Sequence, residues 1–280
     1  MFLITTAGKV GAETARLLAQ RSEPVRVLVR NHEKAAALTQ AGIEVVQGDL
    51  KDPQTVDAAM RGVAAVVLVS PAVPHQELNV VASAVRAGVK HVVKITSESS
   101  TDSPIARRRG QAEIENELIA SGLGYTLLKN NAYMQNLLML APAIAAANSF
   151  GSSTGDGRIG MIDTRDVAAL AAEIVASPDP HRGKTYWPTG PETLSYPDVA
   201  TVLSNLLDRP ISFRPLTFDQ QRQAMIDAGL PVHVAEDNAQ ALRLFAEGEA
   251  DYTTGDVQSI LARPPRTFEQ FATDHAAAFS

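Results

Sequence analysis

The sequence of 280 residues predicts an α/β protein in which a doubly wound parallel sheet is followed by a smaller C-terminal α+β domain. Three observations support this fold class. Short apolar runs alternate with segments of helical spacing from residue 2 to residue 96. Predicted helices end at Gly42, Gly62 and Gly88, and glycine favours helix C-termini. Aromatic residues make up 5% of the chain, which suits short strands buried between helices better than an aromatic-rich β-sandwich.

The strands of the first half are short and apolar. The run at 63–69 is nearly unbroken, as expected for a strand with both faces buried in a parallel sheet. Strands are predicted, in chain order, at 2–5, 25–29, 44–47, 63–69, 91–96 and 125–129. The first helix carries Val10, Thr14, Leu17 and Leu18 at helical spacing. Further helices are predicted at 34–41, 53–60, 77–87 and 105–120.

The second half is less regular. Residues 149–160 are rich in glycine and serine and predict a loop. Short strands are predicted at 158–162, 185–187 and 211–215, and helices at 134–147, 167–176, 194–206, 218–228, 235–247 and 267–279. We therefore expect a first domain at 1–150, to which residues 158–190 return, and a smaller domain at 191–280.

Charge and cysteine content exclude several classes of function. The chain has 25 Lys and Arg against 31 Asp and Glu, a net charge of -6, so nucleic-acid binding is not predicted; the three arginines at 107–109 make only a small patch. There is no cysteine, and the histidines lack metal-ligand spacing, so no metal site is predicted. No run approaches the ~20 apolar residues of a membrane span, and no targeting segment is evident, so we expect no membrane association and a cytoplasmic location.

A glycine-containing turn joins the first predicted strand to the first helix. Residues 5–11 read Thr-Thr-Ala-Gly-Lys-Val-Gly. Glycines at such a turn let the backbone approach a pyrophosphate, whose charge then lies at the helix N-terminus. The motif is incomplete because Thr5 stands where a first glycine would be, and a turn that only packs helix against strand is the alternative. The position at the start of the alternating units favours dinucleotide binding, with contacts from Thr6, Gly8, Lys9, Val10 and Gly11.

The end of the second strand indicates which dinucleotide is bound. An acidic residue there would bond the ribose 2′-hydroxyl, whereas an arginine would accept a 2′-phosphate. The chain has Arg30 at this place and Lys34 nearby, so NADP is predicted in preference to NAD. A solvated surface cation is the alternative interpretation of Arg30. We expect the adenine and the nicotinamide ribose to lie beside the residues that follow the third and fourth strands, Asp49 and Leu50 for the first and Val69, Ser70 and Pro71 for the second.

Short motifs recur in order along the whole chain. They are Gly-Lys-Val-Gly at 8–11, Leu-Val-Arg-Asn at 28–31, Gln-Gly-Asp-Leu at 47–50, Ala-Gly-Val-Lys-His at 87–91, Tyr-Thr-Leu-Leu-Lys-Asn at 125–130, Ile-Asp-Thr-Arg-Asp-Val-Ala at 162–168, Thr-Gly-Pro at 189–191 and Arg-Pro-Pro-Arg-Thr-Phe at 263–268. In order and spacing they resemble the NmrA-like group of atypical short-chain dehydrogenases, and within it the branch of NAD(P)H:quinone oxidoreductase type 2 and triphenylmethane reductase.

The resemblance implies an NADP-binding Rossmann domain and a smaller substrate-binding domain. It leaves two functions open, because the group contains reductases and also redox sensors that bind the cofactor without turnover. The family loop usually carries a glycine where this chain has Thr5. If the Thr5 side chain crowds the pyrophosphate, the fold binds no dinucleotide. A degenerate fold of this kind is therefore a third alternative.

Standard short-chain dehydrogenases place a tyrosine and a lysine four residues apart on one helical face, where the lysine lowers the pKa of the tyrosine. Tyr125 and Lys129 have this spacing but fall in a predicted strand, in which four residues span about 13 Å, so no such pair is expected. In the preceding helix, the register places Arg107 and Gln111 at the tyrosine and lysine positions. Tyrosine general-acid catalysis is therefore not predicted.

Hydride transfer from the nicotinamide to a quinone or a cationic dye needs mainly correct positioning. Under this hypothesis Gln111 donates a hydrogen bond to a carbonyl oxygen as negative charge develops. Thr96 and Ser97 close the nicotinamide pocket, and the substrate side is lined by Asn131, Tyr133 and Met134, although packing between domains is the alternative for the last two. We predict an NADPH-dependent oxidoreductase of quinone-, dye- or enone-like small molecules. An NADP(H)-binding redox sensor is the alternative, and a homodimer is left open.

Overall fold

The computed structural model describes residues 1–31, 35–71 and 73–280. Its strands are β1 (Phe2–Ile4), β2 (Val25–Val29), β3 (Glu44–Gln47), β4 (Ala65–Leu68), β5 (His91–Thr96), β6 (Gly124–Lys129), β7 (Ser149–Ser152), β8 (Lys184–Tyr186) and β9 (Ser212–Pro215). Seven of them form one parallel sheet in the order β3-β2-β1-β4-β5-β6-β8, and β7 pairs with β9 in a second sheet. The order reverses between β1 and β4, which confirms the predicted doubly wound parallel sheet.

The helices alternate with the strands in the first half and dominate the second half. They are α1 (Lys9–Gln20), α2 (Ala36–Gln40), α3 (Pro53–Ala59), α4 (Pro74–Ala87), α5 (Ala106–Ala120), α6 (Ala141–Ala147), α7 (Thr164–Ala176), α8 (Tyr196–Leu207), α9 (Phe218–Asp227), α10 (Val232–Ala246), α11 (Asp256–Leu261), α12 (Phe268–Asp274) and α13 (Ala276–Phe279). None of those in the described ranges is long and apolar enough to cross a membrane.

Three apolar cores hold these elements together. One lies between the main sheet and α1, α7 and α11, and a second lies between the sheet and α3, α4 and α5. Every residue of β4 is buried, as predicted from its unbroken apolar run. The third core joins residues 134–161 to residues 199–279 and makes the C-terminal lobe. The division of the chain at residue 150 stays a prediction.

Two predicted elements of the second half differ in the structure. The predicted loop at 149–160 begins with β7, in which Phe150 and Ser152 are buried at alternate positions. Its glycine and serine concealed this period-2 pattern. The predicted strand at 158–162 is wrong, because this segment forms only isolated bridges, Ile159 with Leu194 and Ile162 with Tyr133.

Helix breaks are the other differences. The predicted helix at 134–147 divides into a 3₁₀ helix (Met134–Met139) and α6. Pro142 lies in the first turn of α6, where its missing N–H does no harm, whereas one continuous helix would need that N–H. The predicted helix at 267–279 is interrupted at His275 between α12 and α13, and α11 was not predicted.

Candidate active site

A cavity of about 1340 Å³ opens at the C-terminal ends of β1, β2, β4 and β5, where the strand order reverses. Ligands of doubly wound folds bind at this position. The loops after these strands form one wall. The facing wall comes from the C-terminal lobe and includes Tyr196, Gln221, Met225, Leu242, Phe245 and Tyr252. The cavity therefore lies between the main sheet and the lobe.

The loop between β1 and α1 directs backbone N–H groups at the cavity. Gly8 is the N-cap of α1 and has no capping side chain, and the first turn of α1 contains no acidic residue. The first N–H groups of a helix have no intrahelical partner, so this end favours an anion. A Cβ atom on Gly11 would overlap the carbonyl oxygen of Thr6, so Gly11 permits the close approach of helix and loop. Gly11 itself is not among the residues that line the cavity. The other predicted residues of the loop line the cavity, namely Thr6, Gly8, Lys9 and Val10.

Thr5 turns its hydroxyl group towards the end of β4. The hydroxyl donates to the carbonyl oxygen of Val69 at 2.7 Å and accepts from the N–H of Val69 at 2.9 Å. The Thr6 hydroxyl donates to the same carbonyl oxygen at 3.0 Å. Thr5 is buried, while Gly8 and Lys9 are exposed. The side chain at the position of the missing glycine thus fastens the loop to β4 and leaves the N-terminus of α1 accessible.

The ends of β2 and β3 form one extremity of the cavity. Arg30 follows β2 and is exposed, and Asp49 and Leu50 follow β3. A smaller cavity of about 440 Å³ shares Arg30 and Asp49. Thr55 fixes this turn, because its hydroxyl oxygen lies 3.1 Å from the N–H and 3.0 Å from the carbonyl oxygen of Asp49. Lys34 lies outside the described residues.

A buried ion pair lies beneath the segment that follows β4. Val69, Ser70 and Pro71 line the cavity. The Ser70 hydroxyl donates to Glu77 Oε1 at 2.5 Å, and Glu77 Oε2 lies 2.7 Å from Lys94 Nζ. Both charged side chains are fully buried. The ion pair therefore connects α4 and β5 to the cavity wall through Ser70.

The end of β5 is held by a second polar cluster. Thr96 and Ser97 line the cavity. The Thr96 hydroxyl donates to Glu115 Oε1 at 2.7 Å, and Lys129 Nζ lies 3.0 Å from Glu115 Oε2. Tyr125 and Lys129 both lie in β6, as predicted. Lys129 consequently has a carboxylate of α5 as its partner and supports the wall of the cavity.

Two amide side chains at the cavity have unpaired oxygen atoms. Gln111 is 5% exposed, and its Oε1 atom is buried without a hydrogen-bond partner in the described parts of the chain. Asn130 Oδ1 is also buried without a hydrogen-bond partner in the described parts of the chain. Both residues line the cavity. A buried polar group without a partner costs about 1–3 kcal/mol. The two oxygen atoms therefore indicate that a bound ligand supplies hydrogen-bond donors here.

Tyr133 and Asn131 lie where the sheet meets the lobe. Burial raises the pKa of Tyr133 to about 12, so its phenol is neutral at physiological pH and able to donate a hydrogen bond. Asn131 Nδ2 donates to the carbonyl oxygen of Ala250 at 3.2 Å, and both Asn131 and Tyr133 line the cavity. Met134 packs in the third core beside Gly190 and is not among the lining residues, which corresponds to the interdomain packing considered as its alternative role.

The sequence prediction missed Asn130 and the wall contributed by the lobe. Leu242 and Phe245 are three residues apart on α10, and this spacing signals an apolar face without telling whether the face borders a core or a cavity. Tyr252 follows α10, and burial together with the charges of Glu98 and Glu249 raises its pKa to about 12. The cavity therefore has neutral phenols on two sides.

The charged groups around the start of α7 have structural partners. Asp163 is the N-cap of α7 and pairs with Arg165 at 2.6 Å. Asp166 pairs with Arg263 and Arg266, which ties α7 to the C-terminal segment. Across residues 1–31, 35–71 and 73–280, no group of three or more acidic or histidine side chains is placed to hold a metal ion.

Relatives of known activity match the chain over its whole length. NAD(P)H azoreductase of Xenophilus azovorans is 36% identical over 286 residues, which cover 100% of this chain and 99% of the relative. (4-Alkanoyl-5-oxo-2,5-dihydrofuran-3-yl)methyl phosphate reductase of Streptomyces griseus is 36% identical over 287 residues, which cover 100% of this chain and 99% of the relative.

A solved structure shows the same arrangement of elements. The NADPH-dependent quinone oxidoreductase of Escherichia coli, crystallised with NADPH, has a TM-score of 0.89 and 28% identity, with 99% of this chain and 100% of that chain covered. The NmrA-like family model matches residues 1–272. Because this match includes the whole main sheet and every residue that lines the cavity, the chain belongs to the NmrA-like family.

Proposed function

We propose that this protein is an NADPH-dependent oxidoreductase that transfers a hydride to a quinone-, dye- or enone-like small molecule. The observation that carries the proposal is the two-part cavity. One part has the N–H groups of α1 and the cation of Arg30, and the other has apolar and aromatic side chains and the buried amide of Gln111. The activities named for the azoreductase, the dihydrofuranylmethyl phosphate reductase and the quinone oxidoreductase support it.

The residues of the first part fit a dinucleotide phosphate. The N-terminus of α1, with Gly8 and Lys9, suits a pyrophosphate, and Arg30 suits a ribose 2′-phosphate. When bound, NADPH supplies the hydride. We assign the adenine, the nicotinamide ribose and the nicotinamide to the residues at the ends of β3, β4 and β5, namely Asp49 and Leu50, Val69, Ser70 and Pro71, and Thr96 and Ser97.

The residues of the second part hold the acceptor and exclude water. Met225, Leu242 and Phe245 offer an apolar surface to an aromatic or conjugated ring. The Nε2 group of Gln111 donates to the acceptor atom on which negative charge develops, whereas its Oε1 atom accepts from a donor group of the ligand. Tyr133 remains protonated because burial holds its pKa at about 12, so it orients the acceptor as a donor and does not remove a proton.

Titration with NADPH followed by turnover tests the proposal. We expect the fluorescence of NADPH to change on binding and its absorbance to fall when quinones, enones, triphenylmethane dyes and azo dyes are offered in turn. Binding without turnover of any acceptor would replace the proposal by a redox sensor. If NADPH does not bind, both functions are excluded.

Partners and location stay predictions from the sequence. A small-molecule acceptor without nucleic acid and a cytoplasmic location are the expectations, and a homodimer is left open. Light scattering on the purified protein decides between monomer and dimer, and fractionation of cells decides the location.

A further inference from the structure

The three consecutive arginines at the start of α5 have different partners. Arg108 pairs with both carboxylate oxygens of Glu249, at 2.7 and 2.6 Å. Arg109 donates to the carbonyl oxygen of Ser103 at 2.6 Å. The guanidinium of Arg107 donates to the neutral amide of Asn238 at 3.1 Å and, within the described ranges, has no carboxylate oxygen inside 4.0 Å. Its charge is therefore not compensated by an ion pair.

Arg107 lines the cavity, and the charge of Asp237 acts on it without an ion pair within 4.0 Å. The carboxylate of Asp237 accepts from the backbone N–H groups of Ala106 and Arg107, at 3.0 and 3.1 Å. Glu249 is held by Arg108, and Glu98, which also lines the cavity, acts on the pKa of Tyr252. The surrounding protein removes water from the Arg107 guanidinium and lowers its pKa, although an arginine stays charged. A cation that borders the cavity and has no ion pair attracts an anion from the cavity.

Gln111 gives a second, independent indication of a ligand at this face of α5. It lies one helical turn after Arg107, lines the same cavity, and has a buried Oε1 atom without a partner in the described chain. Residues four apart on a helix are neighbours, about 5–6 Å apart at their Cβ atoms. Gln111 is buried and Arg107 accessible, so a ligand that bonds Gln111 at one end reaches Arg107 at the other.

We infer that Arg107 is the anion-binding residue of the acceptor site, and that the protein prefers conjugated acceptors that carry a sulfonate, carboxylate or phosphate group, an inference that rests on the proposed reductase activity. Arg107 binds the permanent charge at the cavity, and the Nε2 group of Gln111 donates to the reducible group. The reaction itself is the hydride transfer already proposed and needs no further reactant.

A matched pair of acceptors tests this selectivity. Naphthoquinone sulfonate carries the anion, and menadione is a neutral naphthoquinone. Arg107→Gln is expected to raise KM for the sulfonate about tenfold, with a smaller change for menadione, because one charge-assisted contact is lost. Arg109→Gln is the control, since it removes the same charge two residues further along α5, at a position that does not line the cavity. Arg107→Lys is expected to recover part of the preference, and Asn238→Ala, which leaves the cation in place, to retain it.

Binding without turnover gives a second readout. Calorimetry with naphthalene sulfonate, in the presence of NADP⁺, is expected to show binding to the wild type and to Arg109→Gln that weakens as ionic strength rises. Arg107→Gln is expected to lose this binding. Neutral naphthalene methanol is expected to show no such dependence on salt.

Three results would separate the hypotheses. Equal acceptor selectivity in the wild type and Arg107→Gln would overturn the anion subsite and leave the reductase intact. A rise in KM for NADPH alone in Arg107→Gln would assign the cation to the cofactor and also overturn it. Absence of turnover with every acceptor would reject the proposed function, and the salt-dependent calorimetry would still decide the role of Arg107.

Discussion

Side chains at the cavity differ in whether the protein itself provides their partners. The hydroxyl groups of Thr5, Ser70 and Thr96 are bonded to neighbouring protein atoms. Gln111 has an unpaired oxygen, and Arg107 has no ion pair in the described ranges. The first three residues therefore build the wall, and the other two are available to a ligand.

Arg30 is expected to read the 2′-phosphate of the cofactor. Arg30→Ala should weaken NADPH binding about tenfold or more and leave NADH binding nearly unchanged, because only NADPH carries the extra charge. Fluorescence titration with each cofactor measures both values. Arg86→Ala is the control, because Arg86 is an exposed cation paired with Asp57 away from the cavity. Equal losses for the two cofactors would show that Arg30 does not read the phosphate.

The ion pair of Lys94 and Glu77 is expected to matter for stability because neither charge has access to water. Lys94→Met leaves the Glu77 carboxylate buried without its cation and should lower the free energy of unfolding by about 3–5 kcal/mol. Urea denaturation measures this loss. Adding Glu77→Leu to Lys94→Met should recover most of it, since two apolar groups then replace two charges. A double variant as unstable as the single one would contradict this explanation.

Among the elements, α1 begins with two glycines, Gly8 and Gly11, that differ in how much space surrounds them. A Cβ atom on Gly11 would overlap the Thr6 carbonyl oxygen, whereas a Cβ atom on Gly8 would meet its nearest neighbour, the Thr6 hydroxyl oxygen, at 3.9 Å. Gly11→Ala should therefore destabilise the protein by about 1–3 kcal/mol, as overpacking does. Gly8→Ala should leave the unfolding temperature nearly unchanged. Thermal unfolding of both variants checks this, and equal losses would contradict it.

The inner strands of the main sheet were predictable because a strand buried on both faces has a nearly unbroken apolar run. The predicted bounds of β2, β3 and β5 agree with the structure. The strand β7 was hidden because Gly151 and two serines surround its one large apolar residue, Phe150. The cavity wall from α9 and α10 was hidden for another reason: an amphipathic helix shows which face is apolar, but tertiary packing decides what that face contacts.

For the molecule as a whole, the end of the main sheet at which the strands begin, opposite the cavity, carries a pH-sensitive group. His91 begins β5 and is fully buried. Its Nε2 atom lies 2.9 Å from the Thr126 hydroxyl oxygen, which itself donates to the carbonyl oxygen of His181. Nε2 therefore carries the proton, and Nδ1 is buried without a partner in the described chain. Burial, with help from the charges of Arg182 and His181, lowers the pKa of His91 to about 4.

This lowered pKa makes stability depend on pH. The unfolded chain protonates His91 below about pH 6.5, but the folded protein does so only near pH 4, so the stabilisation is complete above pH 6.5 and decreases towards pH 4. Between pH 7 and pH 5 the wild type should lose about 2 kcal/mol more than His91→Asn. Urea denaturation at both values measures this difference. His233→Asn, at an exposed position of α10, should behave like the wild type; if it matches His91→Asn, the burial explanation is wrong.

The two walls of the cavity come from separate stretches of chain. The residues assigned to the cofactor lie between Thr6 and Ser97, the lobe wall comes from residues 135–161 and 196–252, and α5 joins the two walls through Arg108 and Glu249. This segregation makes the protein suited to modular engineering. A graft of residues 196–252 from a relative should change the range of acceptors while leaving the choice of coenzyme with the recipient. The graft must keep the contacts that cross its boundary, among them the Arg108–Glu249 ion pair, the bonds of Asp237 to the start of α5 and the pairing of β9 with β7.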